Sequence, residues 1–328
     1  MEAITNRLLA WYRGARRALP WRRTRDPYRI WVAEIMLQQT RVAAVLPYYR
    51  RFLRRFPSVK ALARALEVDV LATWSGLGYY ARARNLHRAA RSIQQAGAFP
   101  RDYESIRRLP GVGDYTAAAI ASIAFGQPHA VLDGNVTRVL ARLSGESGHV
   151  RAAATRRRLR QLAEGQLDRR NPGDFNQALM ELGATVCLPR EPRCPVCPLR
   201  DACQAFQDGR PEELPVKSPP SCPVRLERTL LLIERRGKLL LWRRDDEATR
   251  LAGFWELPRA EQVPGAAVGK PLGRFRHSIT NHNYVFSVAA AVIRRAPPGF
   301  RWIPRTGLEE IPLSTASRKA LTLACVRS

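Results

Sequence analysis

Acidic residues and long apolar runs are both scarce in this chain of 328 residues. Residues 1–7 lack the apolar core of a secretory signal peptide, and no apolar run elsewhere is long enough to span a bilayer. These absences argue against secretion and membrane insertion, so we expect a cytoplasmic protein. In a reducing compartment its six cysteines are better interpreted as metal ligands or free thiols than as a disulfide framework.

The shortage of acidic side chains leaves a large positive charge. Only 28 Asp and Glu residues oppose 55 Lys and Arg residues, and the net charge is +27. Neutralising phosphates with basic side chains releases counterions, which favours a polyanionic partner such as nucleic acid. A basic surface without a partner, or the arginine bias of a GC-rich genome, would explain the same composition.

Two domains are expected, because the chain is too long for one ordinary core. Residues 1–207 show helical apolar spacing and predict an all-α domain. Residues 208–224 are rich in proline and polar residues and predict a linker. Residues 225–328 show strand-like runs and predict a small α+β domain.

Particular elements can be assigned within these domains. The predicted helices cover residues 4–15, 30–56, 61–73, 81–96 and 115–125. The predicted strands cover residues 228–233 and 238–242, which form a hairpin around Arg236-Gly237, and residues 284–293.

Four cysteines lie close together in the sequence with the spacing C-x6-C-x2-C-x5-C: Cys187, Cys194, Cys197 and Cys203. Four thiolates in one short loop can surround a single metal centre, and soft sulfur ligands select zinc or iron–sulfur. Structural zinc more often takes two ligand pairs separated by a longer insert. An iron–sulfur cluster, zinc and incidental thiols remain as alternatives on spacing alone, with a metal favoured.

A glycine-containing turn precedes a predicted helix. Gly111 and Gly113 flank one apolar residue, directly before the helical run that begins at Asp114. Such a turn can point backbone N–H groups outward at a helix N-terminus, an arrangement suited to a DNA phosphate. Most turns of this kind only connect helices, so the pattern by itself is weak.

Two carboxylates stand out by their surroundings. Glu34 is flanked by apolar residues, so it is either in a salt bridge or kept partly protonated by desolvation, as a general acid requires. Asp133 precedes Gly134 and a helical run, where it is either a helix cap or a second functional carboxylate. Taken singly, each residue favours the structural alternative.

Together these segments resemble the helix-hairpin-helix glycosylase superfamily, and specifically adenine DNA glycosylases of the MutY type. The resemblance covers residues 1 to about 205, in the family's order. It is carried by residues 19–22, 31–40, 74–86, 109–116, 132–139 and 181–187, and by the cysteine spacing.

The resemblance implies a multidomain fold: an all-α helix-hairpin-helix glycosylase domain with an iron–sulfur loop, followed by an α+β Nudix-like domain. It implies a monofunctional enzyme that hydrolyses the N-glycosidic bond of adenine opposite 8-oxoguanine or guanine. The implied cofactor is one [4Fe–4S] cluster on the four cysteines. The implied partner is double-stranded DNA bound by a monomer, in a bacterial-type cytoplasm and at the nucleoid when acting.

The resemblance also assigns roles to residues. Glu34 would protonate adenine N7, and Asp133 would stabilise or trap the sugar cation, as in glycoside hydrolysis with two carboxylates. Asn135 and Tyr115 would orient groups beside it. The candidate DNA and adenine contacts are Leu19, Trp21, Arg22, Gln38, Gln39, Tyr79, Tyr80, Gly111, Gly113 and Glu181. Gln39 and one tyrosine, preferably Tyr79, would fill the gap in the duplex, whereas plain packing is an equal alternative for Trp21 and Tyr80.

One position separates this family from endonuclease III, which carries a catalytic lysine directly after the hairpin. A lysine amine can form a Schiff base and cleave the strand. Tyr115 occupies that position here, so strand cleavage is disfavoured. A pyrimidine-directed glycosylase of the same fold, a Nudix nucleotide hydrolase and a catalytically silent DNA-binding protein are the competing hypotheses.

Residues 253–258 resemble the entry to a Nudix fold, but no cluster of glutamates follows that could hold Mg²⁺. The domain is therefore not expected to hydrolyse nucleotides, and the resemblance to the glycosylase family implies that it helps recognise 8-oxoguanine. The family often has Phe-Ser-His in the recognition loop, where this chain has Ile279, Thr280 and Asn281. Thr280 keeps a hydroxyl that could hydrogen-bond the lesion, and Thr280 and Asn281 are the candidate recognition residues.

Overall fold

The computed structural model describes residues 2–219, 222–248, 251–279 and 281–325. Thirteen α-helices lie in these ranges: α1 Glu2–Ala15, α2 Pro27–Leu37, α3 Val42–Arg55, α4 Val59–Arg64, α5 Glu67–Trp74, α6 Ala81–Ala96, α7 Tyr103–Arg107, α8 Asp114–Phe125, α9 Gly134–Ser144, α10 Ala153–Gln166, α11 Pro172–Thr185, α12 Gln204–Gln207 and α13 Thr315–Cys325. Six strands follow α12: β1 Val224–Arg235, β2 Lys238–Arg243, β3 Trp255–Glu256, β4 Ala267–Ile279, β5 His282–Val292 and β6 Phe300–Pro304. This succession confirms the predicted order of an all-α region followed by an α+β region.

The chain divides into two compact units, one of residues 1–38 and 92–219, the other of residues 39–91 and 220–328. The chain passes between the units three times, and the third crossing falls between 219 and 220, inside the predicted linker 208–224. Residues 39–91 group with the sheet-bearing residues, although their sequence resembles the glycosylase region. The predicted domain boundaries stay predictions.

The core of the first unit is built around α8, α9 and α11. Residues 117–121 of α8, four alanines and Ile120, are all buried because their small side chains let neighbouring helices approach closely. α8 packs against α2, α7 and α11, and α11 also packs against α1 and α9. Glycines in the left-handed conformation end two of these helices, Gly126 after α8 and Gly145 after α9.

A buried asparagine fixes the segment that leads into α9. Asn176 is fully buried on α11 and donates hydrogen bonds from Nδ2 to Ser122 Oγ (2.9 Å) and to His129 O (2.8 Å). Its Oδ1 accepts a hydrogen bond from Val131 N at 3.1 Å. Because a buried amide with all of these partners has one orientation, the backbone before Asp133 is held in place.

The second unit contains a mixed sheet with strand order β3-β2-β1-β5-β4, and β6 pairs with β2. β1 and β2 form the predicted hairpin, joined at Arg236-Gly237, and β5 corresponds to the strand predicted over residues 284–293. β1 runs parallel to β5 over ten residue pairs, while β4 and β5 form a long antiparallel hairpin.

Two predicted helices are each interrupted. The helix predicted over residues 30–56 is broken after Leu37, where Gln39 takes a left-handed φ of 58° before α3 begins at Val42. The helix predicted over residues 61–73 is broken at Ala65–Leu66, between α4 and α5. Apolar spacing continues across both breaks, so periodicity could not reveal them. Among the described residues, no helix is both long and apolar enough to cross a membrane.

Candidate active site

Glu34 lies on α2, whose N-terminus is capped by Asp26. The Glu34 side chain is 5% exposed, and its Oε2 accepts a hydrogen bond of 2.7 Å from the Tyr115 hydroxyl. Burial raises the pKa of Glu34 to about 7, with the Asp133 charge adding to the rise and Tyr115 and Arg22 opposing it. No salt bridge to Glu34 is found within the described ranges, so the desolvated carboxyl, rather than the ion-paired one, is the observed alternative.

Tyr115 lies in the first turn of α8, directly after the glycine turn. Its hydroxyl is 2.7 Å from Glu34 Oε2 and 3.1 Å from the sulfur of Met180. Burial raises the pKa of Tyr115 well above its ordinary value, and the Glu34 and Asp133 charges raise it further. The tyrosine therefore stays protonated and serves as a donor to the carboxyl.

Asp133 is the N-cap of α9, so the structural alternative for this residue is realised. Its Oδ1 accepts a hydrogen bond from Val136 N (2.7 Å) and its Oδ2 accepts one from Asn135 Nδ2 (3.1 Å). Burial raises the pKa of Asp133, whereas these bonds lower it because they stabilise the carboxylate. The Asp133 charge also raises the pKa values of Glu34 and Tyr115, so Asp133 caps the helix and belongs to the same electrostatic environment as these two residues.

A hydrogen-bond chain runs from Asp133 to the cysteine loop. Asn135 donates to Asp133 and accepts from Arg138 Nη2 at 2.9 Å. The same guanidinium donates from Nη2 to Gly183 O (2.7 Å) and from Nε to Cys187 O (2.8 Å). Arg138 is buried, and it thereby joins α9, the end of α11 and the first cysteine.

A second buried acid is fully paired. Glu181 on α11 has a fully buried side chain that accepts hydrogen bonds from Arg17 Nε and Nη2 (2.8 and 2.6 Å) and from Arg22 Nη2 (2.7 Å). Burial alone would raise the pKa of Glu181, but the hydrogen bonds from the two arginines outweigh it and hold the pKa at about 2. Leu19 and Trp21, each 6% exposed, belong to the same segment as these arginines.

The four clustered cysteines lie in the loop between α11 and α12, and all are partly buried free thiols. Burial raises the pKa of Cys194, Cys197 and Cys203, and the charge on Cys187 raises it further, so the four thiols lie within electrostatic range of one another. The side chain of Arg142 donates to Cys187 Sγ (3.3 Å) and to Leu188 O (2.6 Å). In the described part of the chain, no group of three or more His, Cys, Asp or Glu side chains is arranged to hold a metal ion.

The predicted helix-hairpin-helix consists of α7, the turn and α8. Gly111 has a left-handed φ of 77°, which favours glycine, and Gly113 is the extended N-cap of α8. Asp114 at the first position of α8 pairs with Arg107 (2.6 Å) and Arg160 (3.0 Å). Gln38, the C-cap residue of α2, donates from Nε2 to Thr116 Oγ1 on α8 at 3.2 Å.

In the second unit, Gln39 and Tyr79 share two features: both are exposed and both have a left-handed backbone, with φ of 58° and 51°. Residues other than glycine rarely adopt this backbone conformation outside turns and functional sites. Arg82 links their segments, because its Nη2 donates to Thr40 Oγ1 (3.2 Å) and Gly78 O (3.0 Å) and its guanidinium lies 5.2 Å from the Tyr79 ring centroid.

Tyr80 differs from its neighbour. It is 9% exposed, its hydroxyl pairs with Thr315 Oγ1 at 3.1 Å, and its ring lies 4.1 Å from that of Phe254. The packing alternative considered for Tyr80 is therefore the one observed.

The predicted recognition loop is the turn between β4 and β5. Ile279 ends β4 and Asn281 is exposed in the turn, while Thr280 lies outside the described residues. Ser278 Oγ donates to Asn283 Oδ1 at 2.7 Å across the base of the turn.

The sequence interpretation missed four arginines that bind candidate residues or their neighbours: Arg17, Arg138 and Arg142 in the first unit, and Arg82 in the second. In a chain with 55 basic residues, a single arginine carries little information. The sequence offered one signal: a buried Glu181 carboxylate would need cationic partners, because burying a carboxylate without them costs free energy.

Comparisons with known proteins place the chain among base excision repair proteins. The model of the HhH-GPD superfamily of base excision DNA repair proteins matches residues 32–164. Adenine DNA glycosylase from Mus musculus is 34% identical, across 98% of this chain and 78% of its own length. The Homo sapiens adenine DNA glycosylase is 33% identical, across 97% and 73%. A thermostable thymine-DNA glycosylase of known structure has a TM-score of 0.58 and 31% identity, over 63% of this chain and 96% of its own.

The first prediction concerns the close approach of α11 to Asn135. A Cβ added at Gly183 would lie 2.7 Å from Asn135 Cβ and 3.0 Å from Asn135 O. Gly183→Ala should therefore displace Asn135 from Asp133 and lower the free energy of unfolding by about 1–3 kcal/mol, measured by denaturant titration. Gly165→Ala on α10, where the added Cβ meets nothing within 4 Å, is the matched control and should be neutral or stabilising. Equal effects of the two changes would contradict the packing argument.

The second prediction concerns the buried carboxyl. The Glu34 carboxyl ionises around 4.5 in the unfolded chain and at about 7 in the folded one. Between these values the folded state holds a proton that the unfolded state has lost, so stability falls as pH rises through the window, by about 3 kcal/mol. Glu34→Gln cannot lose this proton. The difference in free energy of unfolding, variant minus parent, should therefore increase between pH 4.5 and 7. If the two proteins show the same dependence of stability on pH, the raised pKa is refuted.

Proposed function

Because the chain belongs to the adenine DNA glycosylase family, we propose that it removes adenine paired with 8-oxoguanine or guanine and leaves an abasic site. The less specific activity follows directly from the comparisons: the chain is a DNA glycosylase of base excision repair, and DNA is its partner. The observation that supports removal of adenine is the buried Glu34 with a pKa of about 7. Its carboxyl accepts a hydrogen bond from Tyr115 and is affected by the charge of Asp133.

In the proposed mechanism Glu34 protonates adenine N7. With a pKa of about 7, a large fraction of Glu34 is protonated at neutral pH, whereas an ordinary glutamate would be almost fully ionised. Tyr115 engages Oε2, which leaves Oε1 as the oxygen that delivers the proton. Protonation makes the base a better leaving group, and the electrons of the breaking bond remain on adenine.

Asp133 supplies the negative charge opposite the sugar cation that develops as the bond breaks. Its two oxygens are oriented by Val136 N and Asn135 Nδ2, so the carboxylate is positioned before DNA arrives. A water molecule then adds to the sugar carbon and loses a proton, which gives the abasic sugar. It adds either to the cation directly or after Asp133 has formed a transient ester with that carbon, in which case the bond to Asp133 breaks as water adds. Tyr115 has no amine to form a Schiff base, which supports base release without strand cleavage.

The adenine pocket is proposed to comprise Leu19, Trp21, Arg22 and Glu181, with Arg17 added from the structure. Two guanidinium groups fixed by one buried carboxylate present N–H donors in set directions. Such donors select a flipped base by its acceptor nitrogens. The paired Glu181 remains ionised throughout, which distinguishes its role from that of Glu34.

The remaining contacts to DNA are proposed from geometry. Gly111 and Gly113 bring backbone N–H groups to a phosphate, and Gln38 lies beside the same helix. Gln39 and Tyr79 fill the gap that the flipped adenine leaves, supported by their exposure and left-handed backbone. The β4–β5 turn, with the exposed Asn281, contacts the base opposite adenine. Thr280 lies outside the described residues and is proposed for the same contact from the sequence alone.

One [4Fe–4S] cluster is the proposed cofactor, held by the four cysteines of residues 187–203. The chemistry of the donor set supports such a group, because four partly buried thiols lie in one loop and the Arg142 guanidinium lies against Cys187 Sγ, where it would offset anionic charge. Cluster binding would have to draw the thiols together, since the described side chains are not arranged as a metal site. The cluster would order the loop, and Arg138 joins that loop to Asn135 and Asp133. We also propose that the protein acts as a monomer in the cytoplasm.

The decisive experiment measures single-turnover base release from duplexes carrying A opposite 8-oxoguanine, G or T, with alkali added afterwards to reveal abasic sites. We expect alkali-dependent cleavage at adenine in the first two duplexes and none opposite T. Glu34→Gln should abolish release while sparing DNA binding, and full activity in that variant would refute the mechanism. A G·T duplex tests the alternative of thymine removal, favoured by the likeness to the thymine-DNA glycosylase.

The pH dependence of that rate gives a further prediction. Because the protonated acid is required, the rate should fall about tenfold per pH unit above about 7. The Tyr115 hydrogen bond lowers the Glu34 pKa, so Tyr115→Phe should move this limb to higher pH while reducing the maximal rate. A limb that stays in place would show that another group controls the profile.

Metal analysis of the purified protein tests the cofactor. We expect about four iron atoms per chain, with matching acid-labile sulfide and broad visible absorbance. Cys197→Ser should lose iron, whereas Cys222→Ser, which changes an exposed cysteine outside the loop, should retain it. A colourless protein with stoichiometric zinc would overturn the proposal.

A further inference from the structure

The loop of residues 75–80, called here the Tyr79 loop, has one exposed side chain between buried anchors. Tyr79 is 48% exposed, whereas Ser75 is 2% and Tyr80 is 9% exposed. Exposed tips of this kind are usually mobile, but this tip is held at both ends by buried polar groups. The partners of those groups lie near the C-terminal end of the chain.

Ser75 is held by two of these partners. Its Oγ donates to Leu313 O at 2.5 Å and accepts from Arg318 Nε at 3.0 Å. Both hydrogen-bonding roles of the hydroxyl are used, so its rotamer and the start of the loop are fixed.

Tyr80 is held by a second set. Its hydroxyl accepts from Gly76 N (3.2 Å) and pairs with Thr315 Oγ1 (3.1 Å), while its ring packs on Phe254. Nearby, Arg84 Nη2 donates to Ala252 O at 2.6 Å. The Tyr79 loop is therefore hydrogen-bonded internally and to Leu313, Thr315 and Arg318, which lie 235 to 243 positions further along the sequence.

α13 carries these contacts onward to the β4–β5 hairpin. Thr315 and Arg318 lie in its first turns, and the next residue, Lys319, has its Nζ 3.4 Å from His277 Nδ1 on β4. Further along, Leu323 lies so close to Gly273 that an added Cβ would be 3.0 Å from it. One short helix thus contacts both the Tyr79 loop and the strand that leads into the turn.

We propose that α13 couples the Tyr79 loop to the β4–β5 turn, with Ser75, Tyr80, Thr315 and Arg318 as positioning residues for discrimination of the base opposite adenine. The proposal rests on the proposed function, in which Tyr79 enters the duplex and the turn contacts that base. Since both elements are fixed to one rigid helix, contact at the turn places Tyr79, and a poor fit at the turn displaces it. Discrimination then depends on hydrogen bonds remote from both elements.

The test compares variants that differ by one hydroxyl. Thr315→Val and Tyr80→Phe should each lower the ratio of single-turnover rates, A·8-oxoguanine over A·G, by roughly two- to tenfold, the size of one neutral hydrogen bond. Thr315→Ser keeps the hydroxyl and should retain the ratio. Thr73→Val, which removes a hydroxyl bonded to Asp69 O on α5, is the matched control and should also retain it. The double variant Tyr80→Phe/Thr315→Val should lose no more than the larger single loss.

Amide hydrogen exchange on the free protein supplies a readout that needs no activity. Thr315→Val should speed exchange in residues 76–80, and Ser75→Ala should speed it in residues 276–283, because coupling between two sites is reciprocal. Unchanged exchange in either segment would overturn the proposal, as would equal rate losses on both duplexes. A parent protein that releases no adenine would defeat the proposed function, while the exchange data would still decide the coupling.

Discussion

Desolvation of one carboxyl is the constraint on which the site depends. Glu34 lies among buried residues of α2, and the donor that hydrogen-bonds to it is a tyrosine hydroxyl, while Arg22 acts on it only through its charge. A cation at the same place would give the ion pair seen at Glu181, where two arginines hold the pKa at about 2. The two acids lie in the same unit, and their partners alone decide which can exchange a proton near neutral pH.

Close helix packing makes that environment possible. The alanines of α8 and Gly183 of α11 let neighbouring backbones approach closely, so that Tyr115 hydrogen-bonds to Glu34 and Asn135 to Asp133. Arg138 then extends the arrangement to Cys187 O. The cysteine loop and Asp133 are thereby connected through the side chains of Asn135 and Arg138, so a change in the loop's backbone reaches Asp133 through hydrogen bonds.

Much of the fold and of the candidate site could be predicted from the sequence. The glycine turn, the carboxylates, the cysteine spacing and the β1–β2 hairpin each have a local signature, and the succession of α and α+β regions is confirmed. The helix break at Gln39 could not be predicted, because the apolar spacing continues and only the backbone conformation departs from it. The roles of Arg82 and Arg138 could not be predicted either. They depend on partners 42 and 49 positions away, and nothing local separates these arginines from the other basic residues.

The split composition of the second unit has a consequence for how the chain is made. Its residues 39–91 leave the ribosome long before residues 220–328, which supply Phe254, Leu313 and α13. Domains tend to fold as units during synthesis, N-terminal ones first. The Tyr79 loop must therefore wait, without its buried partners, until almost the whole polypeptide has been translated. A message cut short near its end would yield a protein that has Glu34 and its hydrogen-bond partner Tyr115 but a Tyr79 loop without its partners.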